Sequence, residues 1–493
     1  MRQITAALTL IGALLAGGSA AHAADIGAND DTGKYLSDGG ATLYGDMSGL
    51  GLRQIVLTSR YKPSDPLTIQ DKELLDRAIP AAAEAGLRVV LAVYPYPPRE
   101  VVAGLASPGA FGAYTASVAQ AYPQVKQFVV GNEPNQPAFW RPQFATSGAN
   151  ASAPAFGRYL AAAYDALKAV DPEIKVIGVG LSPRGNDRPD AKSNISTSPV
   201  RFLRALGAWY RASGRALPLM DGFSFHPYPN AATDPLDRGY QWPNAGFVNL
   251  DRIKQALWDA FNGTAQPTTV DGLGLYLDEV GWQVSTAGEP GYTELENVAV
   301  TDELTQAALY ADLVRRAACD EDVVEVSFFG FRDDGSRIGF QAALQRLDGS
   351  ARPAAEAVRA AIADVAAAGC ASAAVAWAPS VDVLDSSVTV ERTANGGLGV
   401  RLAAGEDARA LVCVGSSRPG GIRGRRVVKT RGAHCRSVTL VGRRPLVLAV
   451  ELSGAIVPGA TRITAEIGVE LVAEANSARR TARYHRATLA PLA

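Results

Sequence analysis

From residue 24 to about residue 370 the chain alternates between two textures. Short runs rich in β-branched residues are each followed by a longer Ala/Leu-rich segment whose apolar positions recur with helical spacing. The pattern predicts strands near 26–29, 53–58, 88–93, 127–130, 175–180, 222–226, 273–278 and 324–329. It predicts helices near 38–48, 70–86, 110–121, 155–170, 199–213, 249–262, 302–318 and 353–367. Several helix boundaries carry their own chemistry. Ser198-Pro199 places a capping hydroxyl ahead of a proline at the first helical position, where no N–H is missed. Leu309 and Leu313 lie four apart, on one helix face. Gly86, Gly214 and Gly263 fall where helices should stop. Eight strand–helix units predict an α/β fold, a (β/α)8 TIM barrel. An open doubly wound sheet would carry a glycine fingerprint after its first strand, and none is present.

Beyond Cys370 the pattern shortens. "SSVTVER", "GLGVRLAA", "RALVCVG" and "PLVLAVELSG" are brief β-rich runs between Gly, Pro and Asn turns. They predict a small C-terminal β-sandwich. The chain thus divides into a leader at 1–23, a barrel at 24–372 and a sandwich at 373–493, with a linker around 371–380. The leader reads as a secretory signal peptide. Arg2 precedes an apolar run from Ile4 to Ala16, and Ala21-His22-Ala23 forms a small-x-small cleavage site. That run is too short to span a bilayer, and no later stretch is long and apolar enough. The mature protein is therefore expected to begin at Ala24, to be secreted and to have no membrane partner after cleavage.

An extracellular setting changes the reading of the four cysteines. Of three possible pairings, Cys319–Cys370 and Cys413–Cys435 keep each bridge within one domain. No cysteine or histidine spacing matches a zinc site, so neither a metal nor a cofactor is expected. A net charge of −1 gives no global field toward nucleic acid or membrane. One local exception is 418–444, with nine Arg or Lys and no acid. A solvated face accounts for such a run. The sharper reading is contact with an anionic polymer such as a cell-wall polysaccharide.

The candidate chemistry lies at strand ends, the active face of a barrel. "FVVGNEPNQP" (128–137) runs from a buried strand into Glu133, and "GLYLDEVGW" (274–282) ends the seventh strand on Glu279. On strands four and seven these carboxylates face each other across the mouth. A facing pair, one protonated and one ionised, suits glycoside hydrolysis. Asp278 should point the opposite way from Glu279 by strand alternation and reads as structural.

"GNEPN" (131–135), "DEVGW" (278–282) and "FSFHPYP" (223–229) together resemble the catalytic signatures of clan A retaining glycoside hydrolases, with families 5 and 39 nearest in pattern. The resemblance spans about 24–370. It implies a barrel glycosidase with Glu133 as acid/base and Glu279 as nucleophile. It also implies that Asn132 bonds the sugar 2-hydroxyl, and that His226 and Tyr228 stand beside the acids, the tyrosine keeping the nucleophile ionised. An oligo- or polysaccharide with β-linkages is the implied substrate, cleaved by double displacement. A transglycosylase sharing that intermediate, or a non-catalytic glycan-binding barrel, are the alternatives. The clan's arginine near the end of the second strand has Arg60 as its candidate here. Its eighth-strand tryptophan is replaced by Phe329 or Phe331 in "SFFGFRDD". Tyr94, Tyr96, Trp140, Trp242 and Trp282 fall near the active-face loops and suit sugar stacking, Trp282 best. Asn29, Asp30 and Asp31 follow the first strand, where reaching a sugar hydroxyl and turn chemistry are equal alternatives.

Overall fold

The structure is a computed structural model. It describes residues 24–368 except 103 and 297, and of the rest 377–379, 384, 386–392, 398–405, 407–415, 422–423, 426–427, 434–440, 445–450, 463–473 and 479–489. Eight parallel strands close into a barrel: β1 (Asp25–Asn29), β2 (Gln54–Tyr61), β3 (Arg88–Pro95), β4 (Gln127–Val130), β5 (Lys175–Leu181), β6 (Gly222–Phe225), β7 (Gly274–Val280) and β8 (Val323–Phe329). Closure is seen at β1, where Ala28 pairs with Ile55 of β2 and with Phe328 of β8. β2 and β3 outrun the predicted strands because their ladder continues through Arg60↔Tyr94 and Tyr61↔Pro95. Hydrophobic periodicity is lost there while backbone pairing is not.

Alternation divides each strand between two cores. Ile55, Leu57, Leu91 and Val93 join the layer under the helices. Val56, Val90, Ala92, Val129, Ile177 and Tyr276 form a separate apolar cluster contributed by β2–β5 and β7. Where β1, β2, β3 and β8 begin, the packing is polar. Gln54 Nε2 donates to Ser327 Oγ (3.2 Å), Arg88 pairs with Asp25 (2.8 Å), and the buried Glu325 lies 3.7 Å from Arg88.

The predicted helices are present, with two short additions at Thr32–Tyr35 and Pro98–Val102. Helix Pro199–Ser213 stops at Gly214, whose φ of +67° suits a residue without a side chain. At its start the expectation fails in one respect. Ser198 adopts the extended capping conformation, but its hydroxyl makes no capping bond, and its N–H donates instead to Asp187 Oδ1 (2.9 Å).

The C-terminal strands are β9 (Ser386–Arg392), β10 (Leu398–Ala404), β11 (Ala408–Gly415), β12 (Ile422–Arg423), β13 (Arg426–Val427), β14 (His434–Leu440), β15 (Leu446–Val450), β16 (Ile463–Ala473) and β17 (Arg480–Leu489). One sheet runs β15-β10-β9 and another β14-β11-β16-β17, with a β12–β13 ribbon apart. Val400, Leu402, Val412, Ile467, Val469 and Leu471 share their core, as a sandwich requires. The expected Cys413–Cys435 bridge is present, joining directly paired residues of β11 and β14. Cys319 is disulfide-bonded, while Cys370 lies outside the described residues. The signal peptide also lies outside them, and so do most side chains of the basic stretch 418–444. Arg479 forms a two-bonded ion pair with Asp259 on barrel helix Leu250–Phe261 (2.6 and 2.8 Å), and Arg252 of that helix pairs with Asp407.

Candidate active site

The site begins where β4 turns. Gly131 has φ +117°, and a Cβ there would meet Val179 O at 2.5 Å and Phe156 Cζ at 2.6 Å, so only glycine fits. Glu133 follows with φ +42°, a left-handed conformation uncommon for a side-chain-bearing residue and worth about 1–2 kcal/mol of strain. Its N–H donates to Gly180 O (2.7 Å). Asn135 then clamps the loop, donating to Ser182 O (3.1 Å) and Thr197 O (2.9 Å). Glu133 is thus aimed by a backbone tied to the end of β5.

Glu279 rises from β7, and the two acids meet around His226, just past β6. His226 Nδ1 lies 3.2 Å from Glu133 Oε1 and 3.4 Å from Glu279 Oε2. Its Nε2 lies 3.5 Å from Asp278 Oδ1, which also accepts from Ser224 Oγ. Tyr228 donates to Glu279 Oε2 (3.1 Å), and Tyr240 donates to the Tyr228 carbonyl (3.0 Å). Asn29 Nδ2 donates to Asp278 O (3.2 Å) and stands 3.5 Å from Glu279 Oε1. The expected opposition of Asp278 and Glu279 is corrected here, since both reach the same imidazole. The register of β7 against β8 shifts between Leu277 and Val280, which interrupts the alternation.

Burial and charge set the protonation. Burial raises the Glu279 pKa to about 7; Glu133 and Asp278 push the same way, against His226 and the Tyr228 bond. Burial opposes charging His226, yet Glu279 and Asp278, with bonds to Asp278 and Glu133, hold its pKa well above the ordinary histidine value. Burial and the Glu279 and Glu133 charges drive the Tyr228 hydroxyl well above its usual range, so it stays a donor. Atoms of Glu133, His226 and Glu279, all within 4.8 Å of one another, have the residue types of a metal site.

Above these acids opens a cavity of about 500 Å3. Asn132, Glu133, Tyr228 and Glu279 line it, together with Phe139, Phe329 and Phe340. Of the residues singled out in the sequence, Asn132, Glu133, Tyr228 and Glu279 meet in the cavity, and His226 lies beneath it. Trp282 does not join them. It is 2% exposed, its indole N–H donates to Asp234 O (3.0 Å), and its ring packs edge-on to Tyr310. It belongs to the core, so the stacking role expected for it is withdrawn. Trp140 is likewise buried, against Phe156 and Tyr159. Arg60 donates to the Tyr94 hydroxyl (3.1 Å) and lies over the Tyr96 ring; the side-chain amide facing Glu279 is that of Asn29. Phe329 lines the cavity and Phe331 is buried, which decides between them. Asp30 accepts from the Phe331 and Arg332 N–H groups and so ties β1 to the β8 loop. Asp31 accepts from the Thr58 N–H. Sequence reading missed Phe139 and Phe340. Phe139 lies six residues past Glu133 and could have been suspected, whereas Phe340 sits in a loop with no periodicity to mark it.

No family model and no curated protein matches the chain. Among solved structures, it is similar to a family 39 glycoside hydrolase from Bacteroides cellulosilyticus, at 17% identity and TM-score 0.45, covering 87% of this chain and 81% of that one. It is similar to a monomeric beta-xylosidase from Caulobacter crescentus at 15% identity and TM-score 0.45, covering 87% and 95%. A glucosidase from Croceicoccus marinus matches at 13% identity and TM-score 0.46, covering 87% and 94%. Likeness at this level carries no weight for activity, which is argued from the site alone.

Proposed function

We propose that the protein is a secreted, retaining glycoside hydrolase that cleaves β-linked glycans by double displacement. The observation that carries this reading is the convergence of Glu133 and Glu279 at the barrel rim, with an oxygen of each within 4.8 Å of the other. Retaining enzymes hold their carboxyls about 5–5.5 Å apart, whereas inverting ones leave room for a water at about 6.5–9.5 Å.

In the productive state Glu133 carries a proton, which passes to the glycosidic oxygen as the C–O bond breaks. Glu279, ionised under donors from Tyr228, His226 and Asn29, attacks the anomeric carbon and forms a glycosyl ester. Glu133 then takes a proton from water, which displaces Glu279 and releases the sugar with its configuration retained. Phe329 and Phe340 offer apolar faces for the C–H side of a sugar ring.

The test is turnover of an aryl β-glycoside panel (glucoside, xyloside, galactoside, mannoside, cellobioside, arabinoside) and of polysaccharides by the mature chain. Activity that disappears in Glu279→Ala supports the reading. Activity that persists in that variant, or none on any substrate, sinks it. Mass spectrometry of the secreted chain should find Ala24 at its N-terminus, and an intact leader would contradict secretion by this signal.

A further inference from the structure

We propose that the glycan bound in this cavity carries an anionic group, a carboxylate or a sulfate ester, on a sugar close to the cleaved bond, and that Arg184 recognises it. This rests on reading the cavity as a glycan site.

Arg184 is the one cation among the described residues lining the cavity. Its Nη1 donates to the Asn230 carbonyl (3.2 Å), and no described acid forms an ion pair with it. A guanidinium has five N–H donors, and this exposed side chain at the cavity wall keeps most of them available to a ligand. Its planar geometry matches the paired oxygens of a carboxylate or sulfate.

The arginine stands on a fixed platform. Ser182 N–H donates to Asn135 Oδ1 (3.0 Å) and the Pro183 carbonyl accepts from Ala245 N–H (2.9 Å). The Arg184 carbonyl accepts from the Gln136 side chain, and Gly185 N–H donates to Asn244 Oδ1 (2.9 Å). Gly185 is pressed so closely on the neighbouring strand of chain that a Cβ would sit 2.1 Å from Thr197 C. Four consecutive residues are therefore pinned from outside the loop. The backbone that carries the charge is therefore preorganised, so its ordering is not part of the cost of binding.

Charge balance sharpens the point. At the cavity floor Glu133 and Glu279, with Asp278 buried beneath them, group three acids around one imidazole. An anionic sugar placed over that floor would be repelled, so its charge must be met elsewhere, and Arg184 is where the wall supplies a cation. Gln136, Asn194 and Asn230 flank it with amides suited to hydroxyls. The basic stretch 418–444 shares the same preference of sign, with nine Arg or Lys and no acid.

Calorimetry on the full-length Glu279→Gln chain tests the proposal without turnover. The probes are three tetrasaccharides of equal length: one built of uronic acid, one sulfated, one neutral. The expected result is tighter binding of one charged probe over the neutral one. Arg184→Ala should weaken that probe about 10- to 100-fold and change the neutral affinity less than about threefold. The uronate and sulfate arms identify which group is read. Equal binding of charged and neutral probes, a preference that survives Arg184→Ala, or no binding of any probe would overturn it. Aryl-glycoside turnover by the unsubstituted chain is a separate readout. Turnover without charge preference defeats this inference alone, and charge preference without turnover defeats the catalytic reading alone.

Discussion

Glu279 is the nucleophile of the proposed mechanism, and its surroundings make its proton informative. Burial raises its pKa to about 7, so it is mostly protonated below that pH. A nucleophile must be ionised to attack. The ratio kcat/KM should therefore rise as pH rises through about 7, and a profile flat between pH 5 and pH 9 would contradict the raised pKa. His226 is oriented by Asp278, because the Nε2–Asp278 contact leaves Nδ1 facing both Glu133 and Glu279. Asp278→Asn should lower kcat about 10- to 100-fold, the loss common when the partner of a site histidine is removed, while the thermal transition remains cooperative. Unchanged kcat would make Asp278 merely structural. At this scale the sequence was informative where a residue sits at a strand end and silent where loops converge. Glu133, Glu279, His226 and Tyr228 were legible from three motifs. Trp282 was not, because its partner Asp234 comes from a loop 48 residues earlier in the chain.

Elements explain why the motifs work. Each barrel strand announced itself through a short apolar run, since both of its faces are covered. What remained hidden was polar packing where β1, β2, β3 and β8 begin. Glu325 sits there fully buried, its pKa raised to about 8 by burial, with Asp278 adding to the rise and Arg88 opposing it. Its folded pKa exceeds its unfolded value near 4.3, so it adds stability below pH 4 that is lost as pH rises through about 8. Glu325→Gln should then be more stable than the parent at pH 9, by no more than about 5 kcal/mol, and within about 1 kcal/mol of it at pH 5. Urea midpoints at the two pH values decide this. A variant less stable at pH 9 would show that the Arg88 contact outweighs desolvation. The register shift in β7 was equally hidden, because alternation read from sequence assumes an unbroken ladder.

The whole molecule joins a barrel to a sandwich. Short β-rich runs between turns marked the sandwich. Its contact with the barrel was illegible, since Arg479 and Asp259 lie 220 residues apart. That pair is almost fully buried, at 1% and 9% side-chain exposure. Arg479→Ala leaves Asp259 without this partner and should cost about 3–5 kcal/mol. Scanning calorimetry should show the sandwich unfolding at lower temperature, apart from the barrel. A single unshifted transition would mean that the pair does not couple the two units.

The most direct measurement is trapping with a 2-deoxy-2-fluoro aryl glycoside of whichever sugar the panel turns over, followed by peptide mapping. A single sugar adduct on Glu279, together with a first-formed product of retained configuration, is the predicted result. An adduct on Glu133, or no adduct with an inverted product, would contradict double displacement at this site.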